Sequence, residues 1–570
     1  MILKAYNNWL EQATADKDLI EELASIKGNE TEISDRFYKS LEFGTAGLRG
    51  IIGAGTNRMN IYTVGTASQG LSDYVNSKTP SGKIAIAYDS RIKSDLFAKH
   101  AASVFAANGL TVYIYPELAP TPMLSFAVRH LKCDAGVVIT ASHNPSKYNG
   151  YKAYGPDGCQ LSPEASEYVL SIVNKVDIFS GVKTCDYGTA INEGKIKIIE
   201  NNVYEAYYKA VMEQSVIDDT YNLNNINVIY TPLNGAGNKP VREVLKRIGV
   251  KNLSVVKEQE MPNGDFPTCP YPNPEIRQAF ECALKDAEKN KADLLLATDP
   301  DSDRVGIAVY HKNKYTLMTG NDVGSLLLNY LLTRKKELGT LPQNPVAVKT
   351  IVSTNLVNLI AKDFGCTLKE VLTGFRFIGE QIGLLEQKGE INRYVLGFEE
   401  SYGYLAGGYV RDKDAVVASM LISEMCSYYK SKGMTLVDTL NSLYEKYGFI
   451  HNCQKSIVCE GMDGMDKMAA SMNNLRQNPP KEIGGSKVIK IMDYKTSVST
   501  DIITGKTEEI NMPKSNVLSY YMENGSQTLV RPSGTEPKIK IYIMSVADIL
   551  ESAKEISTKI TDAMTDLLNL

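Results

Sequence analysis

Short apolar runs alternate with amphipathic segments along most of this chain, and the alternation restarts twice. No other feature constrains the fold as tightly. In the first round, Lys83–Tyr88 reads as an apolar strand and Ser94–Ala107 as an amphipathic helix closed by Asn108 and Gly109; residues 111–115 read as a second strand. A helix from about Pro122 and the run Ala135–Ile139 complete that unit. The second round places strands at 226–230, 253–256 and 293–297, with helices at 239–248 and 275–289 between them. A third has a helix around 322–332, strands at 346–352 and 394–398, and a long helix at 415–429. Apolar strands separated by helices predict right-handed βαβ crossovers and mostly parallel sheets.

The two ends differ. Residues 1–40 read as helical, with Trp9, Leu10, Ile20, Leu23 and Ile26 at helical spacing among polar residues. Past Gly433 a helix near Leu436–Tyr447 leads to strands near 488–491 and 539–543 and a final helix from Ala547, the pattern of a smaller α+β domain with an antiparallel sheet. A chain of 570 residues is too long for one hydrophobic core. The expected fold class is therefore α/β, with three tandem α/β domains and a C-terminal α+β domain. The boundaries fall at residues 1–200, 201–318, 319–445 and 446–570.

A formal net charge of −4 leaves no global basic field for nucleic acid or an anionic membrane, so an anionic ligand must be held by locally gathered Arg and Lys. The first residues lack the cationic start and apolar run of a signal peptide, and no stretch approaches the roughly 18 apolar residues of a membrane span. Nine scattered cysteines without a C-x-x-C pair suit reduced thiols, and five histidines argue against a His-rich metal site. These features point to a cytoplasmic protein.

In open α/β sheets, functional loops follow the carboxyl ends of strands. The first unit has Thr140-Ala141-Ser142-His143-Asn144-Pro145 there, followed by Tyr148-Asn149-Gly150-Tyr151-Lys152. The second has Asp299-Pro300-Asp301-Ser302-Asp303-Arg304, and the third has Glu399-Glu400-Ser401-Tyr402-Gly403. The last domain adds Arg531-Pro532-Ser533-Gly534-Thr535-Glu536-Pro537. One such loop per domain predicts a shared central cleft. Asp299, Asp301 and Asp303 crowd three carboxylates into five residues and repel one another unless a cation sits between them. Hard oxygen donors suit Mg²⁺; a solvated acidic turn is the alternative, and Ca²⁺ is disfavoured because an EF-hand's later bidentate Glu is missing. Ser142 is a candidate nucleophile, although a serine turn before Asn-Pro reads the same way, and a hydroxyl needs a base or a metal to activate it. Arg531, Ser533 and Thr535 have the chemistry to clamp a phosphate, or to form an ordinary turn.

Taken together and in this order, the four loops resemble those of the phosphohexomutase superfamily. Residues 140–145 are similar to its phosphoserine loop, 299–304 to its metal loop, 399–401 to its sugar loop and 531–535 to its phosphate loop. Further matches are Phe43-Gly44-Thr45-Ala46-Gly47-Leu48-Arg49-Gly50 and Thr373-Gly374-Phe375-Arg376-Phe377-Ile378-Gly379, so the resemblance spans about residues 40–540. The helical N-terminus looks most like the phosphoglucomutase/phosphopentomutase branch.

The resemblance implies that Ser142 carries the phosphoryl group and, with Asp299, Asp301 and Asp303, holds Mg²⁺. It implies that Arg49, Lys152 and Arg304 surround the transferred group, with Lys152 and then His143 the candidates for proton transfer. Thr373, Gly374, Arg376, Glu399, Ser401 and Lys413 would contact the sugar substrate. Arg531, Ser533, Gly534 and Thr535 would anchor the non-reacting phosphate. The implied reaction interconverts glucose 1-phosphate and glucose 6-phosphate through glucose 1,6-bisphosphate. It implies small-molecule sugar phosphates as partners, no nucleic acid or membrane, and a monomer or weak dimer.

Phe398 stands where the family's sugar loop often has Gly, and Gly403 where mannose-accepting relatives commonly carry His. The second departure favours glucose. Pentose or mannose phosphates, or a bisphosphate synthase using the same serine, are the alternatives. A sensor that only binds sugar phosphate would have no need of the nucleophile.

Overall fold

Parallel pairing of buried strands builds the centre of both large α/β sheets, and antiparallel strands extend each at one edge. The computed structural model describes residues 2–44, 47–218, 223–459, 464–533 and 538–569. It divides into two compact units: residues 1–320, 378–396 and 401–435 form the first, and residues 321–377, 397–400 and 436–570 the second.

In the first unit, one sheet contains β1 (Gly47–Ile51), β2 (Lys83–Tyr88), β3 (Thr111–Ile114), β4 (Ala135–Ile139), β5 (Tyr148–Tyr154) and β6 (Ile196–Ile198), ordered β1-β5-β4-β2-β3-β6. β2 runs parallel to both β3 and β4, while β5 lies antiparallel to both β4 and β1. Residues 148–152, read from sequence as part of a polar loop, are thus a strand. Tyr151 and Ala153 supply its buried face, and Gly150 lets the backbones close up: a Cβ there would lie 2.5 Å from the Thr140 carbonyl oxygen.

The second sheet contains β7 (Asn227–Thr231), β8 (Asn252–Val255), β9 (Leu294–Thr298), β10 (Val305–His311) and β11 (Lys314–Met318), ordered β11-β10-β9-β7-β8. β7 is parallel to β8 and β9, and β9, β10 and β11 form an antiparallel meander. Residues 299–304 are therefore the tip of the β9–β10 hairpin. β9 is buried throughout, as befits a strand covered on both faces. The helix expected at 275–289 begins later: a 3₁₀ turn at Arg277–Phe280 precedes the α-helix Glu281–Asn290, because Pro272 and Pro274 keep the preceding segment extended.

In the second unit β12 (Val346–Thr350) pairs in parallel with β13 (Thr367–Val371). The C-terminal sheet is antiparallel, as expected, with Phe449–Val458 beside Lys538–Ala547 and then Gln527–Pro532 and Leu518–Met522. Its core joins Ile541 and Ile543 to Met468, Met472, Ile560 and Met564. The final helix starts at Leu550 rather than Ala547, because the strand continues through Ala547.

All nine cysteines are free thiols. Among the described residues no helix is long and apolar enough to cross a membrane.

The N-terminal segment is three helices, Ile2–Gln12, Lys17–Ser25 and Glu30–Phe37, because Asp16 and Asn29 cap new starts by accepting from the N–H groups of Asp18 and Glu32. Trp9 ties these helices to the first sheet's layer. It is 1% exposed and packs edge-on against Phe37, Tyr62 and Phe179 at 5.8, 5.4 and 5.4 Å. Trp9→Ala is expected to destabilise this unit by about 3–5 kcal/mol. The result should be a lower unfolding midpoint and early proteolytic release of residues 1–40; an unchanged midpoint would show the segment to be loosely attached.

Candidate active site

Ser142 sits three residues past β4 in left-handed backbone, φ 51°, and is only 3% exposed. A serine held at positive φ stores strain that the surroundings must offset. They do so on both sides: its N–H donates to Thr140 Oγ1 at 2.7 Å, and its carbonyl accepts from the Arg91 guanidinium at 2.6 Å. The hydroxyl donates to Asp299 Oδ2 at 2.8 Å and lies 3.2 Å from His143 Nδ1.

Asp299 begins the β9–β10 turn and organises it. Its Oδ1 accepts from the N–H groups of Asp303 and Arg304, and Ser302 at the tip takes φ 49°. Gly235 makes room for the turn, since a Cβ there would lie 2.5 Å from Pro300 Cα. Asp301 accepts from the Thr121 hydroxyl at 2.9 Å and the Lys152 ammonium at 2.8 Å. Lys413 Nζ stands 3.1 Å from Asp303 Oδ2, and its stem lies over Gly403, where a Cβ would come within 2.2 Å of Lys413 Cδ.

All three carboxylates are buried and offer ligand oxygens within 4.8 Å of one another. The Oδ1 atoms of Asp301 and Asp303 are buried without a hydrogen-bond partner. An acceptor-only donor set with orphaned oxygens, enclosed and crowded, fits a hard divalent cation. The electrostatics agree. Burial, followed by the charges of Asp301 and Asp303, pushes the Asp299 carboxyl well above the usual range. Burial also disfavours the Asp301 charge, but the adjacent Lys152 more than reverses it and holds this carboxyl below the usual range. Lys152 is raised because the attraction of Asp301 and Asp303 outweighs desolvation. His143 is pushed well below its ordinary value by burial and by the cations Arg304 and Arg49.

The structure thus brings Ser142, His143, Lys152, Asp299, Asp301, Asp303 and Lys413 together from separate stretches of the first unit. Arg304 pairs with Glu275 at 2.8 Å, and Arg49 reaches Asn144 Oδ1 at 3.4 Å. Ser401 belongs to the same unit and is half-buried. In the second unit Glu399 Oε1 accepts from the Gly374 N–H at 2.9 Å, so these two predicted sugar contacts meet directly. Thr373 and Arg376 flank Gly374 and are half-buried, with the Arg376 guanidinium 5.1 Å from the Phe377 ring. Burial and the Glu399 charge push Glu400 up to about 7. Arg531 stands opposite Lys540 in the C-terminal sheet, and the Ser533 N–H donates to the Lys538 carbonyl at 2.7 Å. Gly534 and Thr535 lie outside the described residues.

Several supporting residues escaped the sequence reading. Asp89 and Arg91 buttress the serine loop, Thr121 holds Asp301, Glu275 holds Arg304, and Asp412 accepts from both the backbone and the ammonium of Lys413. Asp89 and Arg91 had a signal: they directly follow β2, at the same carboxyl end that singled out Ser142.

The chain matches the phosphoglucomutase/phosphomannomutase α/β/α domain I over residues 40–178, domain II over 205–312 and domain III over 319–447. A phosphoglucomutase of Staphylococcus saprophyticus is 38% identical over 535 residues, covering 94% of this chain and 95% of that relative. One from Staphylococcus aureus strain N315 is 38% identical over 562 residues, covering 97% of this chain and 98% of the relative. Among solved structures, the parafusin phosphoglucomutase of Paramecium, in an open form, superposes with TM-score 0.68 at 17% identity, covering 93% of this chain and 95% of that one. A phosphoglucomutase/phosphomannomutase family protein of Burkholderia thailandensis gives TM-score 0.67 at 15% identity, covering 92% and 97%. The two structural likenesses concern the fold.

The carboxylate cluster makes a direct prediction. Calorimetric titration with a divalent cation should give saturable binding, and Asp301→Asn should weaken it by at least about tenfold. Equal affinity in the variant would mean that the cation binds elsewhere.

Proposed function

The chain belongs to the phosphoglucomutase/phosphomannomutase family, and from that premise we propose that it interconverts glucose 1-phosphate and glucose 6-phosphate through a phosphorylated Ser142. The observation that carries this reading is the 2.8 Å contact between the Ser142 hydroxyl and Asp299, the first of three buried carboxylates with orphaned oxygens among them. A turn packed only for stability would not gather a strained serine and three crowded anions at one point.

On this reading Asp299, Asp301 and Asp303, with an oxygen on Ser142, hold Mg²⁺. When bound, the ion neutralises charge on the phosphoryl group as it transfers. The free hydroxyl of a sugar monophosphate attacks the phosphorus on Ser142. The Oγ–P bond breaks as the new O–P bond forms, and the sugar hydroxyl gives up its proton to the protein. His143 Nδ1 lies 3.2 Å from the serine oxygen, and Lys152 stands across Asp301; these two are the candidates for moving that proton. Glucose 1,6-bisphosphate then turns over, and Ser142 takes back the other phosphoryl group.

Arg49 and Arg304 supply positive charge around the reacting phosphate. Thr373, Gly374, Arg376, Glu399, Ser401 and Lys413 orient the sugar, and Arg531, Ser533, Gly534 and Thr535 anchor the distal phosphate. The relatives named phosphoglucomutase support glucose phosphates as the substrates, and we propose the cytoplasm as the site of the reaction.

Ser142→Ala should lower kcat by at least about 10⁴-fold, and intact mass should show one removable phosphate on the wild type and none on the variant. Near-normal turnover would defeat the mechanism. In a coupled assay offering glucose, mannose and ribose 1-phosphates, glucose 1-phosphate should give the highest kcat/KM, while free phosphate release in place of isomer would indicate a phosphatase. Chelation should abolish activity and Mg²⁺ restore it, with Zn²⁺ a poor substitute; full activity in metal-free buffer would rule out the metal's role.

A further inference from the structure

One guanidinium grips the serine loop from behind, and we propose that Arg91 is the positioning residue that sets Ser142 for phosphoryl transfer. The inference rests on the mutase reading above. The Arg91 side chain is fully buried. Its Nη1 donates to the carbonyls of Pro145 and Tyr148 at 2.9 and 3.0 Å, and its Nη2 donates to the carbonyls of Ser142, at 2.6 Å, and Asn144. A single planar fork thus binds three carbonyls of the loop that carries the nucleophile and the first carbonyl of β5.

The other side of the same loop is held through Asp89. Its Oδ2 lies 3.3 Å from Arg91 Nε and accepts from Thr140 Oγ1 at 2.7 Å. Thr140 Oγ1 in turn receives the Ser142 N–H. The Ser94 hydroxyl and the Arg91 N–H complete the Asp89 shell at 2.8 and 3.0 Å. Asp89 and Arg91 therefore fix both peptide groups of Ser142, which is what a serine at φ 51° requires.

The second sheet's layer locks the arginine. The Phe266 ring lies 5.1 Å from the guanidinium. Gly264 brings its loop so close to residues 90–92 that a Cβ would stand 2.6 Å from the Ile92 nitrogen and 2.8 Å from the Ser90 carbonyl oxygen. The segment that supports Arg91 thus comes from the same α/β layer as the three aspartates. Through Arg91, the position of the nucleophile is referred to the layer that holds the carboxylates. Lysine could not replace it, because one ammonium has no planar fork for carbonyls spread over residues 142–148.

The test compares Arg91→Ala, Arg91→Met and wild type on glucose 1-phosphate with glucose 1,6-bisphosphate, with and without millimolar guanidinium. Arg91→Ala should lose about 100-fold in kcat, with KM within about threefold of wild type. Free guanidinium entering the vacated space should restore at least about tenfold. It should restore nothing in Arg91→Met, whose side chain fills that space. A kcat within about threefold of wild type in Arg91→Ala, a loss confined to KM, or no recovery with guanidinium would overturn the proposal. If Arg91→Ala does not fold, Arg91→Lys carries the test: the same kcat loss at unchanged KM supports positioning, and wild-type kcat overturns it. Intact mass of the wild type after incubation with bisphosphate separates the two levels of failure. No phosphate on Ser142 defeats the mutase reading and this inference with it, whereas phosphorylated wild type with a fully active Arg91→Ala defeats this inference alone.

Discussion

Three buried carboxylates that cannot all be charged without help crowd together beside a serine hydroxyl that bonds the first of them, and several elements of the first unit bring cations to manage that repulsion. Unit charges about 4 Å apart interact strongly once water is excluded. The fold answers with cations brought from distant stretches of chain. β5 returns Lys152 to Asp301, and the segment after β14 (Tyr394–Glu399) and β15 (Gly403–Leu405) carries Lys413 to Asp303. Neither lysine satisfies the Oδ1 atoms of Asp301 and Asp303. The lysines moderate the field, while the geometry still offers oxygens to a cation. Their presence also explains why β5 must be a strand: only pairing along both β4 and β1 fixes Lys152 at the register where its ammonium meets Asp301.

Left-handed backbone at non-glycine residues recurs where loops meet this cluster, at Ser142, Ser302 and Tyr402. Each is restrained by hydrogen bonds to its own carbonyl or N–H. Ser142 is held by Arg91 and Thr140, and the Ser302 carbonyl accepts from the Ala415 N–H at 3.3 Å. The Tyr402 carbonyl accepts from the Val305 N–H at 3.1 Å. Such positions cost free energy and persist only when their surroundings over-determine them. The restraints come from neighbouring strands and loops of the same unit, so the local strain is stabilised by tertiary structure rather than by local sequence preference.

That distinction decides what was legible in the sequence. The strands β2, β4 and β9 could be read directly because they are unbroken apolar runs, and Ser142 and the aspartates because they follow such runs at the carboxyl end. The antiparallel returns were harder. β5 contains Asn149, Gly150 and Lys152, and its strand character comes from pairing on both sides rather than from propensity. The helix at Glu281 starts later than its apolar spacing predicts because Pro272 and Pro274 keep the stretch before it extended. Among site residues, Asp299, Asp301 and Asp303 announced themselves by spacing. Asp89, Arg91, Thr121 and Glu275 act through contacts 29 to 180 residues away, and no periodicity reports a partner so distant.

The nucleophile and the carboxylates come from different sheets, so the 2.8 Å between Ser142 and Asp299 is a property of how two layers pack. Side chains alone would set such a distance poorly, since each carries rotamer freedom. The layers are instead joined by backbone: the Thr121 N–H donates to the Asp301 carbonyl at 2.9 Å, and the Thr121 hydroxyl binds the same residue's carboxylate. One residue at the start of the helix Thr121–His130 in the first layer therefore fixes both the main chain and the side chain of the middle aspartate in the second. The close approach at Gly264 adds a second backbone junction between the layers. Sliding one sheet along the other would break the Thr121 hydrogen bonds, which are costly to leave unmade, and would drive the Gly264 backbone against residues 90–92. The geometry that brings the serine and carboxylates together is thus built into the main chain.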